Sequence, residues 1–531
     1  MRKFVIAIIV VFLVFGTVLL SSCERSYTDD ESATYNESGS EHNMETSTED
    51  TADYIITDEV TYVDVNPLTF QDVLHIANAR RYALLRPDLD IVTRLTEGRI
   101  SQTIDVSLYS ANEEIYARGV SSEEAVYDAQ ILFDIIRQVY GAYIYFGGDD
   151  VFLPIFDNVT ETLKSVEFWE FSDFSQLLYE NLAPVIHDNH FSLDSRVLGV
   201  TYDFFGGRDE FDLTESGYRN RANGLYIEMV EGFDVDDIFR LKMSREGEFF
   251  FSPIVMTPHT SQTTYYLTVI YACGTEDIIT LWRERSSRID YQPSSLRWVE
   301  GFPIVTLREM GHPESTYGFD SESARRFLSM AEELQDEPVI IIDIRSNGGG
   351  NGLLHSQWLH ILLGEMVSQN YFGLRVGDSE FVRESAVTPY TSGFFQTIET
   401  FDAYASPVPF GDYHTLMYPE PGRVVQNDRL IVLLVDRFSA SAADSFADSI
   451  INLENTLIIG HNTSGALHTD LTYPHLQLPN SGLQFGLGRT IHIHPEGHLQ
   501  EGIGIAPDIW FSGSGIITAV VDMLEANFVG G

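Results

Sequence analysis

Lysine and cysteine are both rare in this sequence. Among 531 residues there are three lysines, Lys3, Lys164 and Lys242, and two cysteines, Cys23 and Cys273. Two cysteines exclude a disulfide framework and a cysteine-rich zinc site. Cys273 lies in an apolar, strand-like run, so we expect it to lie in the core rather than to be reactive.

Positive charge is also scarce. The chain has 32 Lys and Arg against 79 Asp and Glu, a formal net charge of −47. Nucleic acid is bound through clustered basic side chains, so this composition excludes it as an expected partner. A hydrophobic fraction of 44% still provides enough apolar surface for folded domains.

The first 23 residues have the pattern of a secretory signal. Arg2 and Lys3 precede an apolar run over residues 4–20, and small residues lead to Cys23. A cysteine at the cleavage point resembles the lipobox of bacterial lipoproteins, which implies a lipidated Cys23. The chain would then be anchored at the outer face of the bacterial cytoplasmic membrane. An uncleaved transmembrane anchor is the alternative, because the apolar run could just span a bilayer.

The remainder divides by composition and periodicity. Residues 24–60 are acidic and polar, with Arg25 the one basic residue, which is typical of a disordered tether. The sequence predicts five regions: a lipoprotein signal peptide (1–22), a disordered acidic tether (23–65), a helical N-terminal cap region (66–195), a β-rich middle region (196–300) and an α/β core (301–531). The middle region could be a degenerate PDZ module or a β-sandwich insertion.

Strand and helix signals alternate after residue 300. Residues 303–307, 339–344 and 430–435 are predicted strands, and 321–334 and 441–453 are predicted helices. This alternation predicts an α/β layered fold.

A glycine-rich turn follows the strand that ends at Asp343. It reads Asp343-Ile-Arg345-Ser-Asn347-Gly348-Gly349-Gly350. Consecutive glycines allow several backbone N–H groups to point into one small volume and stabilise an anion. A plain flexible turn is the alternative interpretation, and the motifs of a phosphate-binding loop are absent.

A second strand ends before Ser439-Ala-Ser441-Ala442, where a helix is predicted to begin. A helix N-terminus favours negative charge, so an oxyanion formed beside Ser441 would be stabilised there. Taken alone, either serine could simply be a helix cap.

Together the two motifs resemble those of the tail-specific, or C-terminal processing, family of serine peptidases. The resemblance extends to Asp188-Asn-His190 and to residues 501–509, which read Glu-Gly-Ile-Gly-Ile-Ala-Pro-Asp-Ile. It implies a ClpP/crotonase-like α/β core and endopeptidase activity without a cofactor. Ser441 would be the nucleophile, and the oxyanion hole would fall on Gly348, Gly349 and Ala442.

The lack of lysine in the later part of the chain limits which residue could be the base that activates the serine. Many family members use a lysine about two dozen residues after the serine, where this chain has Ala466, and no lysine follows Lys242. A Ser/Lys dyad is therefore excluded in this part of the chain. The branch that resembles the tricorn core protease and retinoid-binding relatives pairs the serine with an upstream histidine and a downstream glutamate. His190 and Glu501 match those positions, which suits an imidazole base oriented by a carboxylate.

Several alternatives remain open at this point. His187 is a weaker candidate for the base, and later histidines could also serve: His461, His468, His475, His492, His494 and His498. No metal site is expected, because the HExxH motif is absent. The favoured function is a lipid-anchored serine endopeptidase acting on proteins or peptides. A non-catalytic peptide- or ligand-binding surface lipoprotein on the same fold is the alternative, and a crotonase-like acyl transferase is a weaker third hypothesis.

Overall fold

The computed structural model describes most of the chain from residue 68 onward. The described residues are 68–83, 95, 103–111, 116–310, 322–375, 409–410, 413–416, 423–470, 476–495 and 501–529. The predicted signal peptide, the acidic tether, Cys23, His475 and His498 lie outside them. None of the helices within these residues combines the length and hydropathy needed to cross a bilayer.

Nine α-helices and twenty-four strands are formed by the described residues. The helices are α1 Phe70–Ala83, α2 Ser122–Val139, α3 Gly148–Lys164, α4 Phe171–Leu182, α5 Val235–Ile238, α6 Glu322–Glu333, α7 Leu353–Leu363, α8 Ala442–Ile451 and α9 Ile516–Leu524. The strands before residue 300 are β1 Val120–Ser121, β2 Phe168–Trp169, β3 Ser192–Leu193, β4 Arg196–Val197, β5 Tyr202–Gly206, β6 Phe211–Thr214, β7 Gly217–Asn220, β8 Ile227–Val230, β9 Phe239–Met243, β10 Phe249–Pro258, β11 Thr264–Tyr271, β12 Glu276–Arg283 and β13 Ser295–Val299. The later strands are β14 Phe302–Thr306, β15 Val339–Asp343, β16 Phe372–Arg375, β17 Pro409–Phe410, β18 Tyr413–Leu416, β19 Leu430–Val435, β20 Thr456–Gly460, β21 Leu476–Gln477, β22 Gln484–Gly486, β23 Thr490–Ile493 and β24 Ile509–Trp510.

A parallel sheet forms the centre of the α/β core. Strands β14, β15, β19, β20 and β24 lie side by side in that order, all parallel. Strands β15 and β19 are buried along their whole length, as expected for parallel strands covered on both faces. Their carboxyl ends therefore meet at one edge of the sheet, where the two turns predicted to carry chemistry begin.

Helices cover both faces of this sheet. Ile340 and Ile342 pack with α6, α7 and α8, whereas Val339 and Ile341 pack with α1 and α9. Successive strand residues point to opposite faces, so one apolar run supplies both layers. These layers confirm the predicted α/β fold class.

The β-rich middle region extends the same sheet. Strand β9 continues it by pairing in parallel with β24, and β13 pairs with β14 at the opposite end. The resulting fourteen-stranded sheet runs from β13 to β8, with β6 and β7 attached through β10. Cys273 lies beyond β11 and is exposed, so the expected core position is wrong. The apolar run ends at Tyr271, and the next residues form the turn to β12.

The helical N-terminal region packs in two places. Helices α2, α3 and α4 form one hydrophobic cluster that includes Leu478, Phe485 and Ile491 from the C-terminal part of the chain. Helix α1 packs instead against the main sheet. The N-terminal helices therefore belong to two different hydrophobic clusters, and only α1 packs on the main sheet. Smaller sheets link these parts, with the strand orders β21-β22-β3-β4 and β17-β18-β16-β23 and the pair β1-β2.

Candidate active site

The turn after β15 is held by a buried ion-pair network. Asp343 receives two hydrogen bonds of 2.8 Å from the guanidinium of Arg345 and one of 2.7 Å from Arg308. Burial favours the neutral carboxyl, but the two arginines outweigh it and hold the pKa of Asp343 below its ordinary value. The predicted Asp-x-Arg motif thus fixes the turn and lies beneath its glycines.

Asn347 shapes the glycine turn. Its side chain donates to Leu307 O at 3.1 Å and accepts from the Gly349 N–H at 2.9 Å. Gly349 has φ of +100°, and a Cβ there would lie 2.8 Å from the Ser441 Cβ and 2.7 Å from Ala440 O. Only glycine allows the two turns to approach this closely.

The second turn presents Ser441 at the start of α8. Ser439 Oγ donates to Ile344 O at 3.0 Å, and the Ala440 N–H donates to Asn347 O at 2.9 Å. Ser441 itself has φ of +57°, an uncommon conformation for a residue other than glycine. Such backbone strain clusters at functional sites because the surrounding contacts must enforce it.

Asp444 anchors this turn from within α8. Its carboxylate accepts the N–H groups of Ser441 at 2.7 Å, Gly465 at 3.0 Å and Ala466 at 3.1 Å. Burial raises the pKa of Asp444. Ala466, which stands where a lysine base would be expected, is therefore part of the backbone support of the serine turn.

His190 and Ser441 meet despite their separation of 251 residues in the sequence. His190 Nε2 lies 2.9 Å from Ser441 Oγ, which is hydrogen-bonding distance. The His190 backbone N–H donates to Asp188 Oδ1 at 2.9 Å. Both predicted members of the Asp188-x-His190 element are thus at the site, with different roles.

Glu501 lies at the site but is not bonded to the imidazole. One oxygen accepts the Asn189 N–H at 2.7 Å, and the other accepts Leu467 and His468 N–H groups at 3.2 and 2.8 Å. Within the described part of the chain, His190 Nδ1 is buried without a hydrogen-bond partner. Glu501 therefore holds the backbone beside His190, while direct contact with the ring, expected from the sequence, is not formed. Burial, reinforced by Asp188, raises the pKa of Glu501 well above its ordinary value.

Two N–H groups at the predicted oxyanion site are unoccupied. The Ala442 and Gly348 N–H groups have no acceptor among the residues that the structure describes. The Gly349 N–H, by contrast, is already bonded to Asn347. The N–H groups of Ala442 and Gly348 are therefore available to bind an oxyanion. Gly349 instead allows the two turns to lie close together.

The other candidate bases that the structure describes are not bonded to Ser441 Oγ. His492 Nδ1 and His494 Nε2 lie 2.9 and 3.3 Å from Leu467 O, and burial lowers the pKa of His492 to about 4. His461 pairs with Ser286 at 3.0 Å, and Lys242 Nζ lies 3.7 Å from Glu284. In the described part of the chain, His190 is the residue whose ring is bonded to Ser441 Oγ.

The sequence places Asp444 in the second motif without a role, and it gives no sign that Arg308, Tyr140 and Thr469 lie near the site. Asp444 carried a detectable signal, because an acid three residues after a helix-capping serine is a capping-box position. The other three are ordinary residues of their local elements, and only the fold brings them to the site.

The comparisons with known proteins address the family. Residues 305–511 match the family model of peptidase family S41. This match covers less than half of the chain, spans both predicted motifs and confirms the family resemblance. It supports a serine-type peptidase.

Solved structures resemble this chain only distantly. Mature CPAF is 14% identical over 76% of this chain and 95% of that chain, with a TM-score of 0.40. The photosystem II D1 C-terminal processing protease is 16% identical over 74% and 93% of the two chains, with a TM-score of 0.33. The tricorn protease is 14% identical over 76% of this chain and 37% of that chain, also with a TM-score of 0.33. No curated protein matches the sequence. Because these similarities are so distant, they carry no argument about the chemistry of residues 305–511.

Proposed function

We propose that the protein is a lipid-anchored, extracytoplasmic serine endopeptidase in which Ser441 is the nucleophile and His190 the base. The observation that carries this proposal is the distance of 2.9 Å between His190 Nε2 and Ser441 Oγ. A serine hydroxyl is a weak nucleophile until a positioned base accepts its proton. No lysine follows Lys242 in the sequence, and Lys242 Nζ lies 3.7 Å from Glu284 and donates to Gly207 O at 3.2 Å.

The reaction proceeds in two halves. Ser441 Oγ attacks the carbonyl carbon of the scissile bond as its proton passes to His190 Nε2. The N–H groups of Ala442 and Gly348 stabilise the oxyanion, which collapses as the C–N bond breaks and the amine takes the proton from His190. Water then hydrolyses the ester on Ser441 with His190 again as base.

Glu501 supports the base through the backbone. Its bond to the Asn189 N–H and its bonds to Leu467 and His468 fix the chain on either side of the imidazole. We assign it a positioning role in place of the ring contact expected from the sequence.

Cleavage of unfolded casein or of a peptide library tests the chemistry. Ser441→Ala and His190→Ala should each lower kcat/KM by at least about 10³-fold, because members of one catalytic unit fail together. His360→Ala, at an exposed position on α7, is the matched control and should retain wild-type activity. Saturable peptide binding without cleavage would favour the non-catalytic binding protein, and cleavage that survives His190→Ala would assign the base to another residue.

The anchor is tested separately. Mass spectrometry of the mature N-terminus should find Cys23 as the first residue and carrying lipid, and Cys23→Ser should release the protein from membranes. An intact N-terminus that begins before residue 4 would contradict the lipoprotein and favour the transmembrane anchor.

A further inference from the structure

Three elements converge on the carboxylate of Asp188. Tyr140, the residue after α2, donates its hydroxyl to Asp188 Oδ2 at 2.7 Å, and Thr469 Oγ1 donates to the same oxygen at 2.9 Å. The other oxygen accepts the His190 N–H at 2.9 Å. Asp188, Tyr140 and Thr469 are all fully buried. The carboxylate of Asp188 is thus a buried acceptor shared by donors from three parts of the chain.

The same residues also hold the loop by apolar contact. The Tyr140 ring packs edge-on against Phe191, with the ring centroids 5.2 Å apart. Thr469 forms an isolated bridge with Ile491, so its backbone is tied to β23. The loop that carries His190 is therefore fixed from α2 on one side and from the 467–470 segment on the other.

His190 itself lacks the usual orienting contact. Its Nδ1 is buried with no partner in the described part of the chain, and both oxygens of Glu501 are occupied by backbone N–H groups. The position of the ring is therefore set through its backbone, to which Asp188 is bonded directly.

We propose that Asp188 is a positioning residue, held by Tyr140 and Thr469, that fixes His190 against Ser441 and stabilises the imidazolium formed when His190 accepts the serine proton. The proposal rests on the proposed peptidase function for the role of His190.

Other ionisable groups surround Asp188 and His190. Burial raises the pKa of Glu501, and burial lowers those of His468 and His492, so all three are driven towards their neutral forms. Asp444 lies beneath Ser441, Tyr145 lies against His468, and His187 is exposed. A carboxylate near an imidazole stabilises its protonated form.

The experiment measures two rates across pH in the full-length protein. One is the labelling of Ser441 by a fluorophosphonate, in which Oγ attacks phosphorus and fluoride leaves, and the other is peptide cleavage. Asp188→Asn should lower kcat and the labelling rate by about 100-fold with little change in KM, and should move the acid limb of the labelling profile down by about one pH unit. Tyr140→Phe and Thr469→Val, which remove single donors, should each lower the labelling rate about tenfold.

Tyr143→Phe is the matched control. Tyr143 is also buried and lies three residues from Tyr140, but its hydroxyl bonds to Asp149 at 2.8 Å. This variant should label at the wild-type rate.

The outcomes separate the two proposals. Labelling without peptide cleavage in the wild type would reject the peptidase function and leave Asp188 in its role. A folded Asp188→Asn variant with the wild-type rate, or with a reduced rate and an unmoved acid limb, would overturn the role of Asp188. Should that variant not fold, wild-type rates in both Tyr140→Phe and Thr469→Val would overturn it. A wild-type protein that is not labelled at all would overturn both proposals.

Discussion

At the scale of single residues, the site depends on how closely two turns approach each other. Gly349 lies against Ala440 and Ser441, so the position of Ser441 depends on a residue that has no side chain. Asn347 fixes the conformation of this glycine by accepting its N–H. The glycine-rich turn therefore acts on Ser441 through shape as well as through its N–H groups.

Gly349→Ala should abolish activity and destabilise the fold. The new Cβ would lie within 3.0 Å of Ala440 O, Ser441 Cβ and Ala442 N, and the φ of +100° is strained for alanine. We expect a loss in kcat/KM of more than about 100-fold and a lower midpoint of thermal unfolding. Gly352→Ala, where the nearest atom beyond its neighbours would be 3.9 Å away, is the control and should change neither. An active Gly349→Ala enzyme would show that the two turns are not coupled as described.

At the scale of elements, α1 is fastened to the core by a buried ion pair. Arg81 bonds Asp508 at 2.7 Å and Thr456 O at 2.9 Å, and Arg80 lies 3.2 Å from the same carboxylate. Burial would raise the pKa of Asp508, but the two arginines hold it below its ordinary value. Asp508 lies in the 501–509 stretch that contributes to the family resemblance, and its pairing with Arg81 ties helix α1 to the end of the sheet.

Arg81→Met should destabilise the protein by about 3–5 kcal/mol, because it leaves a buried carboxylate without its main partner. Urea unfolding followed by circular dichroism measures the change. Arg118→Met, which breaks the exposed pair with Glu124, is the control and should leave the midpoint unchanged. Equal effects of the two substitutions would contradict the anchoring role of Arg81.

The elements near the serine were predictable because their signals are local. Strands over 339–343 and 430–435, each followed by small residues, predicted both turns and the position of Ser441 to within a residue of the observed helix start. The pairing of His190 with Ser441 was predicted from a family resemblance, and no local pattern contains it.

Other hydrogen bonds of the site could not be predicted from local sequence patterns. Glu501 bonds to the Asn189 backbone 312 residues away, and Thr469 bonds to Asp188 over 281 residues. Backbone N–H donors and hydroxyl donors have no sequence signature, so the carboxylates that accept from them emerge only from the fold. The middle region similarly joins the core through two strand pairs that no local pattern shows, β9 with β24 and β13 with β14.

At the scale of the whole molecule, buried histidines make stability depend on pH. His355 lies fully buried in α7 against Phe446, and burial lowers its pKa to about 3. The unfolded chain protonates this ring near pH 6.5, whereas the folded protein does not until far lower pH. The folded state therefore binds fewer protons in that window. Its stability is complete above pH 6.5 and is lost as the pH falls towards 3.

The free energy of unfolding should fall between pH 7 and pH 5, with His355 accounting for about 2 kcal/mol of the loss. His355→Gln should lower stability at both pH values but reduce the difference between them by that amount. His360→Gln, on the exposed face of the same helix, should leave the difference unchanged. Denaturant unfolding at the two pH values measures both, and an unaltered difference in His355→Gln would refute the assignment.

The separation of His190 from Ser441 governs when the protein can first act. The base, the alcohol and the segment with Leu467, Thr469 and Glu501 come from widely spaced parts of the chain. Contacts over such distances close late in folding, since each must first overcome the entropy of a long loop. A partly folded chain would lack the pairing of His190 with Ser441. Under the proposed function, activity would therefore appear only after these distant segments have met.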